Sequence, residues 1–188
     1  MIKFLLRFWW KLNGWKLTGN FPYHIKKMVI IVAPHTSWKD VLVGFAARDQ
    51  LKIHKAKFLG KKELFDGAFG WFFKMLGGVP VDRVSKQGVV EQVAEMFNKH
   101  DEFIVALSPE GTRKRVDKLR TGFYHIAKRA NVPIQMIGFD FNKKAIVVGE
   151  YFYTSENEQV DFKHIIDFFA PIKGAKPDLG LGHLKEAL

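Results

Sequence analysis

Three short blocks of this sequence carry residue types that can do chemistry at spacings that matter. The first is His35-Thr36-Ser37-Trp38-Lys39-Asp40. On one continuous helix His35 and Asp40 would sit about 140° apart and could not meet. With His35 on a strand-to-helix turn and Asp40 in the first helical turn, the carboxylate can reach back to one imidazole nitrogen. That would fix the tautomer and leave the other nitrogen as a base, a contribution of about 10²–10⁴-fold where such a base operates. Ser37 and Asp40 also fit a Ser-x-x-Asp helix-start pattern, in which the carboxylate only satisfies backbone amides. The second block is Pro109-Glu110-Gly111-Thr112-Arg113. Gly111 allows close backbone approach, Thr112 offers a hydroxyl, and Arg113 can fork onto two oxygens of a phosphate. Lys114, Arg115, Lys118 and Arg120 extend the positive field. The third block, Gly78-Val79-Pro80-Val81-Asp82-Arg83, is an extended piece ending in an arginine that could equally serve a surface ion pair.

These blocks need strands and helices to bring them together. Met28 to Ala33 and Phe103 to Leu107 read as buried strands by length and β-branching, and each is broken by a proline directly before or within a chemical block. Lys57 to Gly60, Pro133 to Phe139 and Ala145 to Val148 read as further strands, and Trp15 to Gly19 as a short one. Between them the spacing predicts helices over Trp38–Leu51, with Val41, Leu42, Phe45 and Ala46 on one face, and over Lys61–Leu76, broken near Gly67. Others are predicted from Ser85 to Lys99, with Val89, Val93 and Phe97 as the stripe, and from Phe123 to Ala130. Ser155 and Glu158 form a capping-box pattern before a last helix through Phe169. Strands alternating with helices predict an α/β fold, a mixed, largely parallel sheet flanked by helices, as a single domain over residues 1–188. The tail over 171–188 is expected to be poorly ordered.

Composition narrows the function classes. Thirty Lys and Arg against 19 Asp and Glu give a formal net charge of +11 in 188 residues. With no cysteine there is no disulfide scaffold, thiolate metal site or cysteine nucleophile. No His-Glu-x-x-His or Gly-x-Ser-x-Gly occurs, so neither a zinc protease nor a serine-hydrolase elbow is expected. A transmembrane helix needs about 18 or more nearly uninterrupted apolar residues, and none is expected here. Residues 1–20 instead suggest an amphipathic helix at a membrane interface: Lys3, Arg7 and Lys11 share one stripe, and Ile2, Leu5, Leu6, Phe8, Trp9 and Leu12 cover most of the rest. An ordinary first helix packed on the domain is the other reading. The aromatic cluster Phe65, Phe69, Trp71, Phe72 and Phe73 is either core or an apolar surface for acyl chains. The basic balance alone suits nucleic acid, anionic lipid or phosphorylated small molecules.

In order and spacing the blocks resemble the glycerolipid acyltransferase family, which includes the lysophosphatidic acid acyltransferases. Its His-x4-Asp block matches His35 and Asp40, its Gly-to-Arg block matches Gly78 through Arg83, and its Pro-Glu-Gly-Thr-Arg block matches Pro109 through Arg113. A fourth block opening Val-Pro matches Val132-Pro133-Ile134, and Lys61 falls where the family commonly carries a lysine. This chain departs at Pro34, Pro80, Ser108 and Met136, none of them a charged or catalytic position. The resemblance implies transfer of a fatty acyl group from a thioester, acyl-CoA or acyl carrier protein, to the hydroxyl of a lysophospholipid acceptor. It implies His35 oriented by Asp40 as the base, and Arg83 and Arg113, with Lys61, on the acceptor's phosphate. Gly111 and Thr112 belong to the binding set, while Glu110 would orient Arg113 or accept an acceptor hydroxyl. A backbone amide near the helix start after His35 is the expected oxyanion donor. No metal and no cofactor beyond the thioester co-substrate is implied. The partners expected are the acceptor, the thioester carrier and an anionic membrane surface, without nucleic acid, for a cytoplasmic protein peripherally associated with the membrane. Two alternatives stand beside this: another acceptor such as an amino-acid lyso-lipid, and a non-catalytic basic module binding membrane or nucleic acid.

Overall fold

Uninterrupted β-branched and apolar runs have no polar face to offer water, so they become the middle of a sheet covered on both sides. The computed structural model, which describes residues 2–82, 84 and 88–186, puts them there. In chain order the first half comprises α1 (Ile2–Leu12), β1 (Lys16–Thr18), β2 (Lys27–Ala33), α2 (Lys39–Gln50), β3 (Lys57–Lys61), α3 (Lys62–Asp66) and α4 (Gly70–Met75). The second half comprises β4 (Gly78–Val81), α5 (Gly88–Lys99), β5 (Phe103–Leu107), α6 (Gly122–Ala130), β6 (Ile134–Asp140), β7 (Ala145–Phe152) and α7 (Glu158–Phe169). Two short 3-10 turns, Pro177–Leu179 and Gly182–Lys185, follow.

The seven strands form one sheet in the order β1-β7-β6-β2-β5-β3-β4. From β6 to β4 every neighbouring pair is parallel, and only the β6–β7 pair is antiparallel, with β1 parallel to β7. The fold is therefore mixed and mostly parallel, as the strand–helix alternation predicts. The same arithmetic of direction sends β2, β3, β4 and β5 out at one sheet edge. His35 follows β2, Lys61 ends β3, the Gly78 block forms β4, and Pro109 through Arg113 follow β5. Ligands of open α/β sheets bind at this carboxyl edge.

One face of the sheet carries Met28, Ile30, Ile137 and Phe139 against Val43, Ala46 and Ala47 of α2 and Leu51 just after it, with Trp10 and Trp15 closing its end. The other carries Val29, Ile31, Val105, Ile134 and Met136 against Phe97, Phe123, Ile126, Ile165 and Phe169 from α5, α6 and α7.

Three local expectations are corrected. The buried residues of α2 are Asp40, Val43, Ala46, Ala47 and Asp49, so the predicted face Val41–Leu42–Phe45–Ala46 is split between core and outside. α7 is capped by Asn157, whose Oδ1 accepts from the Val160 amide at 3.3 Å, and not by Ser155; Ser155 instead gives its own amide to Asp161 at 2.6 Å. The tail is packed: Ile172, Leu181 and Leu184 are buried among the core residues, because apolar side chains at those spacings find the open end of the α7 face. The aromatic cluster divides, with Phe65 buried and Phe69 and Trp71 exposed. The predicted helix start at Ser85 lies outside the described residues.

α1 packs beside α2. Trp10 is buried, and Arg7 reaches Asp49 of α2, Nε to Oδ2 at 2.6 Å. Phe4, Leu5, Phe8 and Leu12 point away from the domain, Phe4 and Leu12 each 73% exposed. Among the described residues no helix is long and apolar enough to cross a membrane.

Candidate active site

β2 ends at Ala33, and the chain turns through Pro34-His35-Thr36-Ser37 before α2 begins at Lys39. Asp40 lies in the first helical turn, buried, and its Oδ2 stands 3.1 Å from His35 Nδ1. The same oxygen accepts the amides of Thr36 and Ser37, each at 2.7 Å. One atom of Asp40 thus both stands beside the His35 ring and satisfies the amides at the helix start. Those amides are spent on Asp40, so neither is free as the expected oxyanion donor.

From the neighbouring strand β5 the chain makes a turn in which Gly111 adopts φ +66°, a left-handed conformation that suits glycine. The turn is held by Gly111 N to Ser108 O at 3.2 Å and Arg120 N to Pro109 O at 2.8 Å. It swings Arg113 over the histidine, where the guanidinium Nε donates to His35 Nε2 at 3.3 Å. Glu110 points the other way. Its buried Oε1 accepts the His35 backbone amide at 2.7 Å, so it supports the histidine's own backbone instead of orienting Arg113. Its Oε2 is buried without a hydrogen-bond partner among the described residues. Burial pushes this carboxyl up to about 7, against the opposing pull of the His35 amide and ring and with the help of the Asp40 charge.

A cavity of about 1030 Å³ opens beside these groups. His35, Asp40, Gly111, Thr112 and Arg113 line it together with the largely apolar set Val41, Gly44, Phe45, Phe58, Phe73 and Leu76. Along α2 the lining runs from Asp40 to Leu51, roughly 16 Å at 1.5 Å per residue. Arg48 also faces this cavity, its Nη1 donating to Leu76 O at 2.5 Å and its guanidinium 5.9 Å from the Phe45 ring. Burial lowers its pKa. The spacing Val41–Phe45–Arg48 was the available signal, since i, i+4 and i+7 share a helix face. Lys61 stands exposed at the end of β3 and does not line the cavity. Arg83 lies outside the described residues, two positions after β4 ends. Among the described residues no cluster of three or more His, Asp or Glu could hold a metal ion.

The family model described as Acyltransferase matches residues 16–140, the stretch that carries every block above. A curated 1-acyl-sn-glycerol-3-phosphate acyltransferase of Streptococcus pneumoniae (strain ATCC BAA-255 / R6) is 32% identical over 135 residues, which cover 66% of this chain. The match covers 49% of that relative, so the chain spans about half its length. The crystal structure of the 1-acyl-sn-glycerophosphate acyltransferase PlsC from Thermotoga maritima has the same fold, with TM-score 0.57 and 18% identity over 98% of this chain and 78% of that one.

Proposed function

Because the chain belongs to the acyltransferase family, we propose that it moves a fatty acyl group from an acyl thioester, on coenzyme A or acyl carrier protein, to the free hydroxyl of a lysophospholipid. The acceptor favoured is 1-acyl-glycerol-3-phosphate, giving phosphatidic acid. One observation carries this reading: a histidine–aspartate pair, a cationic fork and an apolar cavity meet at one opening.

The contact from Arg113 to His35 Nε2 requires a lone pair on that nitrogen, which leaves the ring proton on Nδ1 facing Asp40. That is the tautomer of a general base. His35 Nε2 takes the acceptor's hydroxyl proton as the oxygen attacks the thioester carbonyl. The tetrahedral intermediate then collapses, the carbon–sulfur bond breaks, and the imidazolium returns its proton to the thiolate. Asp40 holds the ring and balances its transient charge. No acyl-enzyme is needed, and the chain has no cysteine to carry one.

Arg113 exchanges His35 for the acceptor's phosphate, so binding the acceptor uncovers the base where the hydroxyl arrives. Thr112 and Lys61 add polar and cationic groups along the same edge, and Arg83 follows the neighbouring strand in the sequence. The fatty chain lies in the apolar body of the cavity, between α2 and α4. Phe4, Leu5, Phe8 and Leu12 of α1, flanked by Lys11, form the face that meets the membrane in which acceptor and product reside. Trp38, Phe69 and Trp71 are exposed as well and offer further apolar surface.

The test is a mass-spectrometric acyl-transfer assay in mixed micelles, offering lysophosphatidic acid with each thioester, beside the His35→Ala variant. Phosphatidic acid from the wild type and none from the variant is expected. Folded protein that yields no phosphatidic acid but acylates an amino-acid lyso-lipid would overturn the acceptor, and no product from either would overturn the reaction.

A further inference from the structure

The segment after α7 lies beyond the stretch that matches the family, yet it closes over the residues on both sides of His35. Thr36 is buried, and its Oγ1 accepts the backbone amide of Lys176 at 3.0 Å, across 140 positions of sequence. A side chain at Gly174 has no room: its Cβ would stand 2.8 Å from Thr36 Oγ1, 3.0 Å from Thr36 Cγ2 and 3.2 Å from Pro34 Cβ. Backbone therefore lies directly on the turn that carries the histidine.

The same segment is pinned at both ends. On one side Phe141 N donates to Lys173 O at 2.8 Å, and Ile172 packs so closely on β6 that a Cβ at Gly138 would stand 2.2 Å from its Cδ1. On the other, Leu181 and Leu184 are buried, and a ring nitrogen of His183 meets Val116 O at 2.8 Å. Val116 belongs to the basic loop that begins with Arg113. One stretch of chain thus holds the turn of the base and the loop of the cation together.

We propose that residues 172–184 form a strap that positions the catalytic turn, and that Thr36 is the positioning residue through which it acts. The inference rests on the acyl-transfer reading. Thr36 has two jobs on opposite sides: its amide is one of two that fix Asp40 Oδ2, and its hydroxyl fixes its own place against the strap. Removing the hydroxyl leaves the Lys176 amide without its acceptor and frees the turn to shift. Asp40 Oδ2 then no longer faces His35 Nδ1 at the distance that selects the tautomer.

The experiment compares Thr36→Val, which keeps the shape and removes the acceptor oxygen, with Thr36→Ser, which restores it. Gly174→Ala, which presses a methyl onto Thr36, is the second variant and decides by the same criteria if Thr36→Val does not fold. Each is read by steady-state kinetics in mixed micelles and by ¹⁵N NMR of the imidazole nitrogens, with the His35 signals identified by their loss in His35→Ala. Expected for Thr36→Val is a fall in kcat of about 10- to 100-fold, the scale of a small misplacement of a reacting group. KM should stay within about twofold, and the His35 nitrogens should move toward a mixture of tautomers. Thr36→Ser should restore both readouts. Wild-type kcat and His35 shifts in Thr36→Val would overturn the strap, as would a lower melting temperature with kcat per folded molecule unchanged. A wild type that makes no acyl product, with His35 shifts that still respond to Thr36→Val and recover in Thr36→Ser, would overturn the reaction and leave the strap standing.

Discussion

Arg113 donates through Nε to His35 Nε2 at 3.3 Å, while the other ring nitrogen of His35 faces Asp40 Oδ2 at 3.1 Å. The imidazole is held from both sides, by a buried carboxylate that two backbone amides fix and by an exposed arginine. An anion with its own claim on the guanidinium would take Arg113 from the ring. Phosphate is such an anion, because it offers the fork two oxygens where the ring offers one lone pair.

Arg113→Ala should therefore weaken the acceptor and loosen control of the donor at the same time. Losing a charge-assisted hydrogen bond of about 1.5–3 kcal/mol raises the acceptor KM by about 10- to 100-fold. With Nε2 uncovered, hydrolysis of the thioester in the absence of acceptor should rise above the wild-type rate. Acceptor titration and thiol release measure the two effects. An unchanged acceptor KM in a folded variant would move the phosphate site away from Arg113.

Replacing the partners of the ring separates base from orienter. His35→Ala should leave no more than about a tenth of the activity, and the expected loss is about 10²–10⁴-fold. Asp40→Asn keeps an oxygen for the amides of Thr36 and Ser37 but offers the ring no charge, so kcat should fall while the fold persists. Circular dichroism beside the kinetics checks both halves. An Asp40→Asn protein with wild-type kcat would reduce Asp40 to its role at the helix start.

Much of this arrangement was legible in the sequence, for reasons that can be named. Met28 to Ala33 and Phe103 to Leu107 are apolar and β-branched with a proline close behind, and such runs have few ways to fold. The candidate residues sit where those strands end, so finding the strands brought them to one sheet edge. What escaped was long-range or shared between roles. The Thr36–Lys176 contact leaves no local trace, because any residue but proline offers an amide. Glu110 was expected to orient Arg113 or to accept an acceptor hydroxyl, but its Oε1 accepts the His35 backbone amide, a contact 75 positions away in sequence that the motif itself does not show. The faces of α2 were misjudged because one serves the core and another a cavity, and both select apolar side chains.

Glu110 gives the protein a pH-dependent stability with a defined sign. Its carboxyl sits at about 7 in the folded chain, against about 4.3 when unfolded. Between those values the folded state keeps a proton that the unfolded state has lost, so stability falls as pH rises from about 4.3 to 7 and is level above. The full span corresponds to about 4 kcal/mol. Glu110→Gln retains an acceptor for the His35 amide and cannot ionise, so its stability should lose less between pH 5 and pH 8. Urea unfolding at the two values reads the difference. Parallel wild-type and variant curves would show that burial does not hold Glu110 protonated.

The outward face of α1 makes the last prediction. Phe4 and Phe8 are 73% and 58% exposed on a helix whose opposite side is fixed by Trp10 and the Arg7–Asp49 pair. None of the described residues covers them, and a lipid interface would. Fully burying one such side chain is worth about 1.5–3 kcal/mol, so Phe4→Ser or Phe8→Ser should each weaken vesicle binding by about 10- to 100-fold. Lys11 beside this face adds about 1 kcal/mol on an anionic leaflet, so binding should also weaken as salt rises. Co-sedimentation with vesicles containing anionic lipid measures both effects. Because α1 holds its place through the other face, the variants should keep near-wild-type turnover on a soluble short-chain acceptor. Equal vesicle binding by wild type and both variants would remove α1 as the docking face, and loss of turnover on the soluble acceptor would make these side chains part of the domain's own packing.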